Sequence, residues 1–366
     1  MRGTMLIGAL LLGLAAPAAA QVAPASDAFW NVSDERLSFK PAQLSVPRRA
    51  AGADYFETTE FSRKGEGVDN AIKYRSADQK IFATLYVYYP SFAHTGVQAI
   101  ATDQAIRGNP RSAGVRSLGT GLGSAAGKPG VAVTADYENY LGDNVSKAAF
   151  VKAGRWMLKL RVTGPESRSA EVGAVMKALL DGLRFEGKAL PRPAAPIAAG
   201  ECTATDRPDA KVVEGSSDSA TVAMADAAGE PAAKGARGGG KALPARIGRD
   251  WCRTLLQVGN QKTAVLQATG KGRPGLAGES ALLVLYSDSG GVLEVVRLGK
   301  ERKYLLLHHD IAEVKVLDSY DGLPSLAQIG RLFTDPTGIR ARIRLKPDGS
   351  AGIELPGALG QGKEGQ

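Results

Sequence analysis

The chain has 366 residues and carries 46 Lys and Arg against 37 Asp and Glu, a formal charge of +9. That length suits two domains, and the excess of positive charge favours anionic partners, although charge of this size also serves solubility alone. Three His and two Cys leave little material for a metal site, since zinc wants three or four ligands from one cluster.

The first segment, MRGTMLIGALLLGLAAPAAAQ, has one cation, Arg2, then an apolar run from Leu6 to Ala16 and a small-residue end at Ala18-Ala19-Ala20. This is the pattern of a secretory signal peptide over residues 1–20. The run is too short for a spanning helix, which needs roughly 20 apolar residues. The expectation is a bacterial protein exported to the periplasm, not membrane-spanning once the signal is cleaved. Its partner would be an envelope protein or an anionic envelope component, with nucleic acid and nucleotides excluded by the compartment.

A first domain is expected over residues 31–187. Ala71 to Arg75 reads as a strand. IFATLYVYYP, Ile81 to Pro90, is apolar on both faces and reads as a central strand. Its Phe82, Tyr86 and Tyr88 share a face, with Tyr74 near, a row fit either to grip a sugar or peptide or to pack under a helix. Gly96 to Arg107 has helical spacing. GTGLGSAAGKPG, Gly119 to Gly130, resembles a phosphate loop but fails it: Leu122 stands where the first glycine belongs, and Pro129 follows Lys128. It also leads into GVAVTADY, which reads as a strand and not a helix, so a flexible connection between strands is expected. Val131 to Tyr137 and Ala148 to Lys152 read as strands. In RWMLKLRVTG, Trp156, Leu158, Leu160 and Val162 face one way, with Thr163-Gly164-Pro165 as a stop. Glu166 to Leu183 is an amphipathic helix.

Residues 188–242 are rich in Ala, Gly, Pro and Ser, without apolar period, and read as a flexible linker. Cys202 and Cys252, the only cysteines, are expected to form a disulfide in an oxidising compartment.

A second domain is expected over residues 243–357. Lys262 to Ala268, Ala281 to Tyr286, Val292 to Leu298 and Tyr304 to His309 read as strands, with turns at Asp288 to Gly291 and Gly299 to Glu301. Leu323 to Phe333 reads as a helix, and Ser350 to Leu355 closes a hairpin with IRARIRL. Residues 358–366 form a polar tail expected to be disordered. The fold class is α+β: two domains, each an antiparallel sheet with one or two packed helices, joined by a flexible Ala/Gly/Pro-rich linker.

Two features carry candidate chemistry. LLLHHD places His308 and Asp310 on one side of a strand and His309 on the other, a possible hydrolase cluster that lacks a visible further partner. In IRARIRL, Arg340, Arg342 and Arg344 line one face, a strip suited to phosphate or carboxylate, or simply to water. No HExxH, GxSxG or SxxK motif is present. No metal or cofactor is expected.

The order AIKYRS, IFATLYVYYPS, FVKAGRWMLKLRVTGP and SAEVGAVMKALLDGLRF resembles the Mog1/PsbP-type α/β sandwich over about 150 residues, by pattern and not by a diagnostic motif. That resemblance implies a non-enzymatic binding or accessory role. It carries over no catalytic residue.

Overall fold

The computed structural model describes residues 23–24, 29–62, 65–187, 190–203, 207–213, 250–269, 279–298, 303–334 and 338–355. The expected signal peptide, the turn at residues 299–301, the expected tail and most of the expected linker lie outside them.

The chain starts with β1 (Ala23–Pro24) and a small meander, β2 (Trp30–Val32), β3 (Arg36–Phe39) and β4 (Leu44–Pro47). Then come β5 (Arg49–Ala50), β6 (Ala53–Glu60), β7 (Asp69–Ser76), β8 (Phe82–Tyr88) and α1 (Thr95–Gly108). Four strands follow, β9 (Arg116–Ala125), β10 (Lys128–Tyr140), β11 (Asn144–Ala153) and β12 (Trp156–Pro165), then α2 (Ser169–Gly182) and β13 (Arg184–Phe185). The second half holds β14 (Ala199–Glu201), β15 (Val212–Val213), β16 (Trp251–Val258), β17 (Gln261–Ala268), β18 (Glu279–Leu285) and β19 (Val292–Leu298). It ends with β20 (Lys303–Asp310), β21 (Glu313–Tyr320), α3 (Leu326–Thr334), β22 (Ala341–Leu345) and β23 (Ala351–Glu354).

Among the described residues these strands form sheets of nine, four and ten strands. The first runs β1-β6-β7-β8-β12-β11-β10-β9, with β5 on β6. β8 lies inside it, as its two-sided apolar sequence requires. The alternation read in β12 holds: Trp156, Leu158, Leu160 and Val162 join the core cluster, on the face that α2 covers. The strand runs on through the expected stop to Pro165, because Asn144 and Val145 pair with Pro165 and Gly164. The opposite face meets α1, which packs on β10 and β11 and also on β17 and β18 of the third sheet.

The third sheet is antiparallel except where β14 runs parallel to β16. Its inner face looks toward the first half. Its outer face, with Leu282, Val284, Val295, Leu306 and Leu317, packs under Ile329 of α3. The class is thus sheet-rich α+β with few helices.

The halves are more intimately joined than composition suggests. The core cluster of the first sheet also takes in Val296, Leu298, Leu305, Leu307, Val314 and Ile343. A bridge pairs Pro90 with Ile311, and the Ala312 N–H donates to the Tyr89 carbonyl at 2.8 Å. The expected linker is docked where it is described: β14 edges the third sheet beside β16, and β15 pairs with β21. Its residues 214–242 lie outside the described set. The Cys202–Cys252 disulfide is present, with Cα atoms 4.8 Å apart, and fastens the β14 segment to β16.

Candidate functional site

The alternation of β20 splits the histidine pair. His308 and Asp310 point outward beside α3, and His309 points inward, fully buried. His308 stacks on the Tyr286 ring (centroids 4.9 Å, 18° apart) and lies near Phe333. Burial pushes its pKa down to about 4, only partly opposed by the Asp310 charge, so the ring is uncharged at neutral pH. The Tyr286 hydroxyl lies 2.9 Å from Asp310 Oδ1 and 2.5 Å from the His309 carbonyl. Burial, and then the Asp310 charge, hold this phenol well above its ordinary range.

The arginine strip meets the same face. Asp310 Oδ2 lies 3.4 Å from Lys315 Nζ, and Lys315 lies 3.5 Å from Glu313. Glu313 is 3.5 Å from Arg342, which approaches Glu354 at 4.0 Å, and Arg344 lies 3.1 Å from Glu354. Arg340 pairs with Asp318 at 2.6 Å. Ala341, Ile343 and Leu345 face inward, as read from the sequence. The two candidate features therefore lie on one surface, linked through Lys315 and Glu313. The cations Lys315, Arg340, Arg342 and Arg344 are matched by Asp310, Glu313, Asp318 and Glu354. The expected anion strip carries its own counter-charges.

On the inner face, sequence reading missed a polar chain. His309 Nε2 lies 3.0 Å from Glu294 Oε2, and His309 Nδ1 lies 3.1 Å from Ser91 Oγ. Ser280 donates to the other Glu294 oxygen. Both ring nitrogens are thus engaged, Nε2 by Glu294 and Nδ1 by Ser91. Serine, histidine and glutamate stand in hydrolase-like sequence, yet all three side chains are buried, and the Phe92 ring lies 5.2 Å from the imidazole. The chain works as a clasp: the Ser91 N–H also donates to the Asp310 carbonyl at 3.0 Å, binding the end of β8 to β20. A lone Glu inside the apolar VLEVV was its only sequence signal.

A second junction forms where the turn after β18 reaches the first sheet. Lys159 is buried, and its Nζ donates at 2.9 Å to both the Asp288 carbonyl and Asp288 Oδ2. The same ammonium lies 4.6 Å from the centroid of Tyr86. Asp69 stands nearby, its pKa pushed up to about 6, by burial first, with Lys159 opposing and Asp288 and Glu60 adding. Of the aromatic row, Phe82 is exposed, Tyr86 is half-buried and Tyr88 is buried, with its hydroxyl on Gln98 of α1 at 2.9 Å. Tyr74 lies in the core on the opposite face.

The glycine-rich stretch is neither a phosphate cradle nor a loop. It is β9, hairpinned onto β10 through a turn at Ala126-Gly127. A Cβ at Gly123 would lie 2.7 Å from Thr134 Cγ2, so close cross-strand packing accounts for that glycine. Gly119 and Thr120 form one wall of a cleft of about 260 Å³ between β9, α1 and the β14–β16 edge. Asp103, Arg107 and Arg253 stand in it. Among the described residues no group of three His, Cys, Asp or Glu is placed to hold a metal. None of the described helices is long and apolar enough to cross a membrane.

No family model matches the chain. No curated protein matches it either. Among solved structures, the chain is similar to cyanobacterial PsbP (CyanoP) from Synechocystis sp. PCC 6803, at 13% identity and a TM-score of 0.31, over 42% of this chain and 92% of that one. A protein of known crystal structure from Bacteroides thetaiotaomicron VPI-5482 is similar at 10% identity and a TM-score of 0.27, over 66% of this chain and 88% of that one. The likeness to PsbP is one of fold, and it is weak.

Proposed function

We propose that this chain is an exported, non-catalytic binding protein of the bacterial envelope, docking on another envelope component through the outer face of its third sheet. One observation carries the reading. Arg340, Arg342, Arg344 and Lys315 interleave with Asp310, Glu313, Asp318 and Glu354 on one face. Exposed ion pairs contribute little to folding, about 0–1 kcal/mol each. Interleaved charges instead orient a partner and reject wrong ones. The leading apolar segment, read as a signal peptide, supports export. His309 faces away from this surface, so the hydrolase alternative built on His308, His309 and Asp310 has lost one of its three groups.

The test is cross-linked capture from the cognate envelope fraction, read by mass spectrometry, with the wild-type chain and the triple variant Arg340→Glu, Arg342→Glu, Arg344→Glu. The expected result is a reproducible partner lost in the variant. A partner retained by the variant moves the contact elsewhere, and capture of no partner overturns the docking role.

A further inference from the structure

The cleft beside α1 has a chemistry separate from the docking face. Its three walls come from α1, the β9–β10 hairpin and the β14–β16 edge, so both halves of the chain build it. Asp103 Oδ2 takes two guanidinium groups, Arg107 at 2.5 Å and Arg253 at 3.2 Å. Arg253 is held from its other side by Gln104 Oε1 at 2.8 Å. Asp103 itself is only 8% exposed, and its second oxygen, Oδ1, is buried and has no hydrogen-bond partner. Leaving a carboxylate oxygen without a donor in a shielded place is costly. Two arginines against one aspartate also leave a net positive charge. The two guanidiniums are therefore short of one anion. The rest of the lining sets aliphatic Ile100, Val133 and Ile197 beside Ser117 and Thr120. Ligand pockets commonly span about 300–1,000 Å³, so a cleft of about 260 Å³ takes only a small molecule.

We propose that this cleft binds a free aliphatic α-amino acid. The ammonium takes the place of Arg107 on Asp103 Oδ2, the carboxylate lies against Arg107 and Arg253, and the side chain packs on Ile100, Val133 and Ile197. Arg107, the more exposed of the two arginines, turns from Asp103 toward the incoming carboxylate. The close approach of the 195–197 segment fixes the wall: the Ala195 N–H donates to Thr95 Oγ1 at 3.0 Å, and a Cβ at Gly96 would lie 2.4 Å from the Ala195 carbonyl oxygen. Disulfide Cys202–Cys252 anchors the far end of that segment.

The experiment is calorimetric titration of the full chain with leucine, with 4-methylpentanoate, which keeps the side chain and carboxylate but lacks the ammonium, and with 3-methylbutylamine, which lacks the carboxylate. Leucine is expected to bind about ten-fold or more tightly than either analogue, the factor that one charge-assisted hydrogen bond supplies. Asp103→Asn is expected to cut the preference for leucine over 4-methylpentanoate about ten-fold, and Arg253→Met to weaken both. If a variant fails to fold, the three ligands on the wild-type chain decide the matter. No binding of leucine at millimolar concentration overturns the proposal, and so does 4-methylpentanoate binding as tightly as leucine. Because the arginines of β22 are untouched, this outcome is independent of partner capture.

Discussion

Replacing Asp69 by asparagine is expected to stabilise the protein at neutral pH and to change little in mild acid. The carboxyl pKa is about 6, against 3.8 for the ordinary group, and burial is the main cause. A carboxyl raised in the folded state favours folding when protonated. Its penalty is absent below the unfolded pKa, grows as pH climbs through this window and is complete above about 6. A shift of about 2 units corresponds to about 3 kcal/mol, a ceiling because the side chain is not wholly shielded. Lys159 lowers the penalty but is itself committed to Asp288. Two histidines work in the opposite direction. Burial holds both His94 and His308 down to about 4, so they cost stability as pH falls from 6.5 toward that value. They are common to both proteins and cancel in the difference. Urea unfolding of wild type and Asp69→Asn at about pH 7.5 should give a gap of about 2–3 kcal/mol, shrinking to under about 0.5 kcal/mol at about pH 4. A gap of the same size at both pH values, or none at neutral pH, refutes burial of a charged Asp69 as the cause.

Other expectations follow from the same contacts. Changing Cys202 and Cys252 to serine, or reducing the bridge, should cost about 4 kcal/mol by the loop-entropy argument for a separation of 50 residues, and a loss below about 1 kcal/mol in urea unfolding would contradict it. Glu294→Leu removes the side chain that His309 Nε2 and Ser280 Oγ share and should cost about 3 kcal/mol, against about 1 kcal/mol for Ser91→Ala, so thermal melts that reverse this order would dissolve the clasp. Gly96→Ala pushes a methyl group into the Ala195 carbonyl and should cost about 1–3 kcal/mol. Hydrogen exchange over residues 190–203 should quicken in that variant, and unchanged protection there would sink the idea that this segment is held by its fit to α1.

The sequence by itself determined the local elements with a clean period. The alternation in β12, the two-sided apolar run of β8, and the helical spacing of α1 and α2 each follow from which side chains must leave water. The strand pattern around His308 to Asp310 and around Arg340 to Arg344 also told which residues share a face. The cysteine pair was legible because only one pairing exists. Tertiary structure decided the rest. GTGLGSA has no apolar period and becomes a strand only because β10 offers it a partner. EVKVLDSY, β21, pairs with β20 across a register shift between Leu305 and Leu307, which breaks simple alternation along it. Two short pieces of an unperiodic Ala- and Pro-rich stretch are held as β14 and β15 by edges that other strands supply. The groups in the candidate sites come from far apart in the chain: Ser91 with His309, Lys159 with Asp288, Asp103 with Arg253. Period reports which face of an element is buried. It carries no information about which distant element covers that face, and burial by a distant partner is what moves a pKa or leaves a carboxylate oxygen without a donor.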